Sequence, residues 1–142
     1  MAWARRAPSV DGMTTLRRTF IALSLTCGAA WLLKQVVIAA SGGGDAESPL
    51  IATLWATGMI TFVLASGTGT ALALRRLPTW ARVVAGMVAA PVSFLVLGAM
   101  DPPPVDAVYT ADGWFAQEIP LVLAALVMAA LGARTISGAR DA

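Results

Sequence analysis

The chain consists of long apolar blocks separated by shorter polar segments. Four blocks stay apolar for about 20 residues or more, the length that a helix needs to cross the roughly 30 Å hydrocarbon core of a bilayer. A helix on the surface of a soluble protein would carry a polar stripe, and these blocks are apolar on nearly all sides. The pattern therefore predicts four transmembrane helices, at residues 19–40, 50–74, 79–100 and 115–136.

Helices satisfy their own backbone hydrogen bonds in lipid without closing into a barrel. The segments between the apolar blocks are short, which favours antiparallel neighbours packed as a bundle. We therefore expect an all-α integral membrane four-helix bundle that forms a single transmembrane domain over residues 1–142. Residues 1–16, which carry proline, glycine and charge, are expected to form a flexible cytoplasmic tail.

Composition supports lipid as the solvent of this chain. Hydrophobic residues make up 58% of the 142 positions, charged residues 13%, and the mean hydropathy is +0.75. A soluble domain of this size has a large surface to cover with polar groups, and this sequence does not supply them. The basic residues flank apolar runs and form no basic helix face, so we expect no nucleic-acid partner.

The inventory of reactive side chains is small. The chain has no histidine and one cysteine, Cys27. Histidine is the commonest metal ligand and the commonest general base. We therefore expect no catalytic residue, no metal site, no cofactor and no enzymatic activity.

Basic residues predict the orientation. Arginines precede the first apolar block, separate the second from the third, and follow the fourth, whereas Lys34 lies toward the other side. Because cytoplasmic loops carry the excess of Lys and Arg, both termini are expected in the cytoplasm of a bacterial cell. The predicted location is the inner membrane, with multiple spans.

The first block has an alternative interpretation as an export signal. The stretch "LRRTFI" at residues 16–21 resembles the core of a twin-arginine signal, and cleavage near Ala39 or Ala40 would leave three spans. Twin-arginine export generally serves folded soluble cargo, and everything downstream here is membrane-like. Retention of residues 1–40 is therefore the favoured prediction.

Lys34 is the most informative single residue. It lies about 9 Å inside the end of the first predicted span. A charge at that depth indicates function or a partner; Glu118 is the first candidate and Asp101 the second. At this depth the long lysine side chain can also extend to the outer headgroups, and this interpretation is favoured over the pair; a substrate or ion site is the third.

Small residues spaced four apart predict where the helices pack, because they allow two backbones to approach closely in lipid. The predicted packing face comprises Ala65, Gly69 and Ala73 in the second span and Ala81, Ala85, Ala89 and Ser93 in the third. A second track runs beside it, through Gly67 and Ala71 and through Gly86 and Ala90. The hydroxyls of Ser66, Thr68 and Thr70 either pack within this region or line a polar passage.

Three functions are compatible with these features. The first is a non-catalytic accessory or scaffold subunit that packs against a larger membrane assembly or against itself. The second is a minimal oligomeric transporter or channel that uses Lys34, Glu118 and the hydroxyl track. The third is a membrane-perturbing, holin-like protein. The lipid bilayer is the partner that all three share.

Overall fold

A computed structural model describes residues 10–42, 48–100 and 114–140 of the chain. These residues form four α-helices: α1 (Val10–Ala40), α2 (Pro49–Ala73), α3 (Thr79–Met100) and α4 (Trp114–Arg140). The described segments contain no β-strand. Each helix includes a stretch long and apolar enough to cross a membrane, which confirms the all-helical part of the prediction.

The helices extend beyond the predicted apolar blocks at two points. α1 begins at Val10 and therefore includes residues 10–16 of the predicted tail, while α4 continues to Arg140. The backbone hydrogen bonds of a helix are internal, so its turns can continue past the apolar segment into polar sequence. Residues 1–9 of the predicted tail lie outside the described part of the chain.

α1 and α2 are the two inner helices. They pack against each other, and α1 also packs against α4 while α2 also packs against α3. No comparable packing joins α3 to α4 within the described residues, although these two helices are consecutive in the chain. The bundle is therefore open along the side between α3 and α4.

Trp31 forms the centre of the core. Its side chain is completely buried, its ring lies 5.5 Å from that of Phe62, and its indole N–H donates to the carbonyl of Trp55 at 3.4 Å. Gly58 leaves the space for the indole, since a Cβ at that position would overlap the Trp31 ring. A buried indole needs both the apolar contact and a partner for its N–H, and α2 provides both.

Two glycines fix the contact between α2 and α3. A Cβ placed on Gly86 would lie 2.8 Å from the carbonyl oxygen of Gly67, and one placed on Gly67 would lie 3.0 Å from the carbonyl oxygen of Gly86. The backbones therefore touch at this crossing. Helices in lipid associate mainly through such close packing, so this pair is the attachment point of α3.

Candidate functional site

The most conspicuous polar feature is an ion pair between α1 and α4. The Nζ atom of Lys34 donates to Oε1 of Glu118 at 2.7 Å and to Oε2 at 2.8 Å. Only 4% of the lysine side chain and 1% of the glutamate side chain are exposed. The structure thus brings the first candidate pair together, and the lysine does not extend along its helix toward the helix end. Asp101, the second candidate, lies outside the described residues.

Gln35 adds a third donor to this carboxylate. Its Nε2 atom donates to Oε2 of Glu118 at 2.8 Å. Its own Oε1 is buried and has no hydrogen-bond partner among the described residues. The three side chains form a polar cluster, hereafter the Lys34–Gln35–Glu118 cluster, within an otherwise apolar helix pair. Neighbouring positions 34 and 35 both reach Glu118, which the sequence did not predict for Gln35.

This cluster can join two helices without leaving a net charge between them. The ammonium and the carboxylate neutralise each other, and the amide satisfies a further lone pair of the carboxylate. A buried pair of this kind is tolerable in low dielectric only when its geometry is good and its remaining hydrogen-bonding capacity is used. The ion pair and the amide hydrogen bond together hold α1 and α4 to each other. The same cluster places an ammonium and a carboxylate inside the helical region.

The predicted hydroxyl track is bonded within its own helix. Ser66 donates to the carbonyl of Phe62, Thr68 to that of Leu64 and Thr70 to that of Ser66, each at 2.8 Å. A hydroxyl that donates to its own helix has no hydrogen left for a solute. This arrangement favours packing over the polar passage.

The predicted small-residue face borders the open side of the bundle. Ala65, Gly69 and Ala73 of α2 and Ala89 and Ser93 of α3 line an apolar cavity of about 790 Å³ between α3 and α4. Ala81 and Ala85 are half-buried. The backbone contact between α2 and α3 uses the neighbouring track through Gly67 and Gly86. Both tracks were visible in the sequence, and the structure assigns them different neighbours.

We call this cavity the α3–α4 groove. Val92 forms part of its α3 wall and Val127 and Leu131 part of its α4 wall, while Phe20 and Phe62 form part of its floor. Along α2 the groove extends from Phe62 to Ala73, which are eleven positions apart, or about 16 Å at the helical rise. The groove is therefore elongated, apolar and open on one side.

Arg82 is a buried charge that sequence reasoning did not single out. Only 6% of the residue is exposed. Its Nε donates to the carbonyl of Ala71 at 3.0 Å, and its Nη2 contacts the sulfur of Met13 at 3.2 Å. Arg82 lies four residues before Gly86 and therefore on the same face of α3, which is the signal that could have identified it.

Arg82 belongs to one end of the bundle, which we call the arginine end. It contains the beginning of α1, the turn between α2 and α3, and the last turns of α4. Arg17 donates from Nη2 to the carbonyl of Thr135 there at 2.6 Å and so ties α1 to α4. The described arginines at this end are Arg17, Arg18, Arg75, Arg76, Arg82, Arg134 and Arg140.

The described residues contain no group of three His, Cys, Asp or Glu side chains that could hold a metal ion. Cys27 is free and fully buried. The predicted absence of catalysis and of cofactors stays a prediction.

Four apolar helices around a buried polar cluster indicate a multi-pass membrane protein. No protein family matches the chain, and neither the curated proteins nor the solved structures contain one that matches it. The function must therefore be argued from the chain's own residues.

Proposed function

We propose that this protein is a non-catalytic accessory or scaffold subunit of a larger membrane assembly, which it joins through α3. Its buried polar groups hold the chain's own helices together and leave little to act on a solute. Lys34 and Glu118 bind each other, and the hydroxyls of α2 bind their own helix. Polar groups that are bonded within the chain in this way suit a protein with a structural role in an assembly.

The observation that carries this proposal is the position of α3. Within the described residues this helix packs mainly against α2, and it presents a stripe of large apolar side chains on the face away from α2. Trp80, Met87 and Leu95 are 71%, 71% and 67% exposed. Their spacing of seven and eight residues places them on one helical face. We call this face the α3 stripe and propose that it contacts the partner, which is another subunit or a second copy.

We also propose that the arginine end faces the cytoplasm, with both termini on that side. Arginine asymmetry supports this orientation under the positive-inside rule. The inner membrane of a bacterial cell is the corresponding location.

Site-specific photo-crosslinking tests the subunit proposal. A benzophenone amino acid at Met87 in the α3 stripe is expected to give one discrete protein adduct in intact membranes. The same probe at Leu126 of α4, which is 51% exposed and does not line the groove, is the matched control and is expected to give none. An adduct of twice the 14.6 kDa chain mass indicates self-association, and another mass indicates a different subunit. If neither position gives a protein adduct and the detergent-purified chain is monomeric, the proposal fails.

A minimal transporter is the second candidate, because charged residues deep in a membrane helix commonly mark an ion or proton pathway. The Lys34–Gln35–Glu118 cluster is the feature that favours it. Flux of protons or small cations across proteoliposomes is the readout for this alternative. Flux that is lost in Glu118→Gln while insertion is retained would favour transport over the scaffold role.

A further inference from the structure

We propose that the α3–α4 groove is a binding site for an anionic phospholipid, with its acyl chains in the groove and its phosphate beside Arg82. This site is independent of the α3 stripe and of the partner proposed above. Three properties carry the inference: the chemistry of the groove wall, the length of the groove, and the buried arginine near its arginine end, which has no carboxylate partner among the described side chains.

The groove wall offers no free hydrogen-bond donor. Three hydroxyl groups line it, those of Ser66, Thr70 and Ser93. Each donates to a carbonyl of its own helix, at 2.8 Å in all three cases. A solute that needs hydrogen-bond donors would lose its hydration in this groove without replacement, whereas a hydrocarbon chain loses nothing. The wall chemistry therefore selects an acyl chain.

The length of the groove matches one leaflet. Its extent along α2, from Phe62 to Ala73, is about 16 Å, and its extent along α4, from Pro120 to Leu131, is the same. Half of a roughly 30 Å hydrocarbon core is about 15 Å. A lipid with its headgroup at the arginine end would therefore place its acyl chains along the whole groove.

Arg82 supplies the charge complementarity. The guanidinium is buried, and the two groups that it contacts among the described residues, the Ala71 carbonyl and the Met13 sulfur, are both uncharged. Glu118 is the sole carboxylate among the residues whose side chains the structure describes, and it lies at the opposite end, paired with Lys34. A buried charge needs an opposite charge nearby, and guanidinium groups suit phosphate oxygens.

Arg82 also lies at the correct level. Its partner Ala71 lies one residue after Thr70 and two before Ala73 along α2, and both of these residues line the groove. The guanidinium is therefore near the end of the groove at which a headgroup would emerge. Basic pockets between membrane helices on the cytoplasmic side are known to hold anionic headgroups.

Lipid retention by the purified full-length protein tests this site. The protein is reconstituted with equal amounts of phosphatidylglycerol and phosphatidylcholine, transferred to mild detergent, and its retained lipid is identified by native mass spectrometry. We expect one retained phosphatidylglycerol, with a preference over phosphatidylcholine of roughly fivefold or more, the value of one arginine near an anionic headgroup.

Two substitution pairs separate the headgroup from the acyl chain. Arg82→Gln is expected to abolish the preference, Arg82→Lys to keep most of it, and Arg76→Gln, a change in the exposed turn, to leave it unchanged. Val92→Phe is expected to prevent retention of both lipids by filling the groove. Val84→Phe is its control, because Val84 is exposed to a similar extent, 52% against 49%, and does not line the groove.

The proposal is overturned if Arg82→Gln keeps the preference, if Arg76→Gln lowers it equally, or if Val92→Phe retains lipid normally. Circular dichroism of each variant verifies that the helices are intact. Glycerophosphoglycerol, which has the headgroup without acyl chains, is expected not to displace the lipid; displacement would indicate a phosphate site alone. Asp11→Asn is expected to leave lipid retention unchanged. A several-fold rise in lipid retention in this variant would contradict the proposal, because it would identify Asp11 as the counter-ion of Arg82.

Discussion

Glu118→Leu is expected to lower the free energy of unfolding by about 3–5 kcal/mol, the usual cost of removing one partner from a buried ion pair. The substitution leaves the ammonium of Lys34 and the amide of Gln35 without their acceptor in a site where both charged side chains are almost fully buried. The loss comes mainly from the unpaired charge, because leucine itself packs well in an apolar helix. Unfolding in mixed detergent micelles, followed by circular dichroism, measures the change.

The double variant Lys34→Met with Glu118→Leu is the control. Replacing both members of a buried pair by apolar residues is often neutral or stabilising, so the double variant is expected to recover most of the loss. Together with the single variant Lys34→Met, these variants complete a double-mutant cycle, and its coupling energy gives the free energy of interaction between the two side chains. Equal losses in the single and the double variant would contradict the account. A decrease in the free energy of unfolding of less than about 1 kcal/mol in Glu118→Leu would also contradict it, because that value is typical of a solvent-exposed ion pair.

Gly86→Val is expected to separate α3 from α2 and to cost about 1–3 kcal/mol, the range for overpacking a tight contact. The first added carbon would lie 2.8 Å from the backbone oxygen of Gly67. A backbone carbonyl cannot rotate away as a side chain can, so the helices must move apart. Because α3 packs mainly against α2 within the described residues, its docking depends largely on this crossing.

Gly98→Val is the matched control for Gly86→Val. It makes the same change in the same helix, and a Cβ at Gly98 would meet no other atom within 4 Å. The same unfolding measurement should leave Gly98→Val close to the unmodified protein. Similar losses in the two variants would show that the helix responds to valine itself and not to the contact with Gly67.

Sequence patterning was sufficient to predict the helices and to name the candidate partners of Lys34. Helix length follows from the thickness of the bilayer, so continuous apolar blocks locate the four elements to within a few residues at most of their ends. Glu118 could be named as the first candidate partner because it and Lys34 are isolated charges in apolar blocks, at the same depth in antiparallel helices. The sequence nevertheless favoured extension of Lys34 to the headgroups over this pair, because the lysine side chain is long enough to reach them from this depth.

The helix neighbours could not be predicted in the same way. Each helix is apolar around its circumference, so the sequence does not indicate which face meets which partner. Gly86 and Ala89 belong to two small-residue tracks of similar quality, yet one contacts α2 and the other lines the groove. The gap between α3 and α4 depends on which face of each helix packs against its neighbour. No local sequence pattern encodes that combination.

The sequence alone groups Arg82 with the arginines between the second and third apolar blocks, because it is the fourth residue of α3. Its burial depends on the position of Ala71 in α2 and Met13 in α1, which are distant in sequence. Sequence alone places the charge near a helix end, where exposure is the usual outcome. The tertiary structure instead encloses it beneath neighbouring helices.

Labelling of single cysteines with a membrane-impermeant maleimide tests the central claim most directly, in a Cys27→Ala background. The claim is that the four helices cross a bilayer with the arginine end on one side. Gly42→Cys is expected to react from the outside of intact cells, Arg76→Cys only after the cells are opened, and Leu126→Cys only after detergent is added. Full labelling of Leu126→Cys without detergent, in protein recovered from the soluble fraction, would contradict the account.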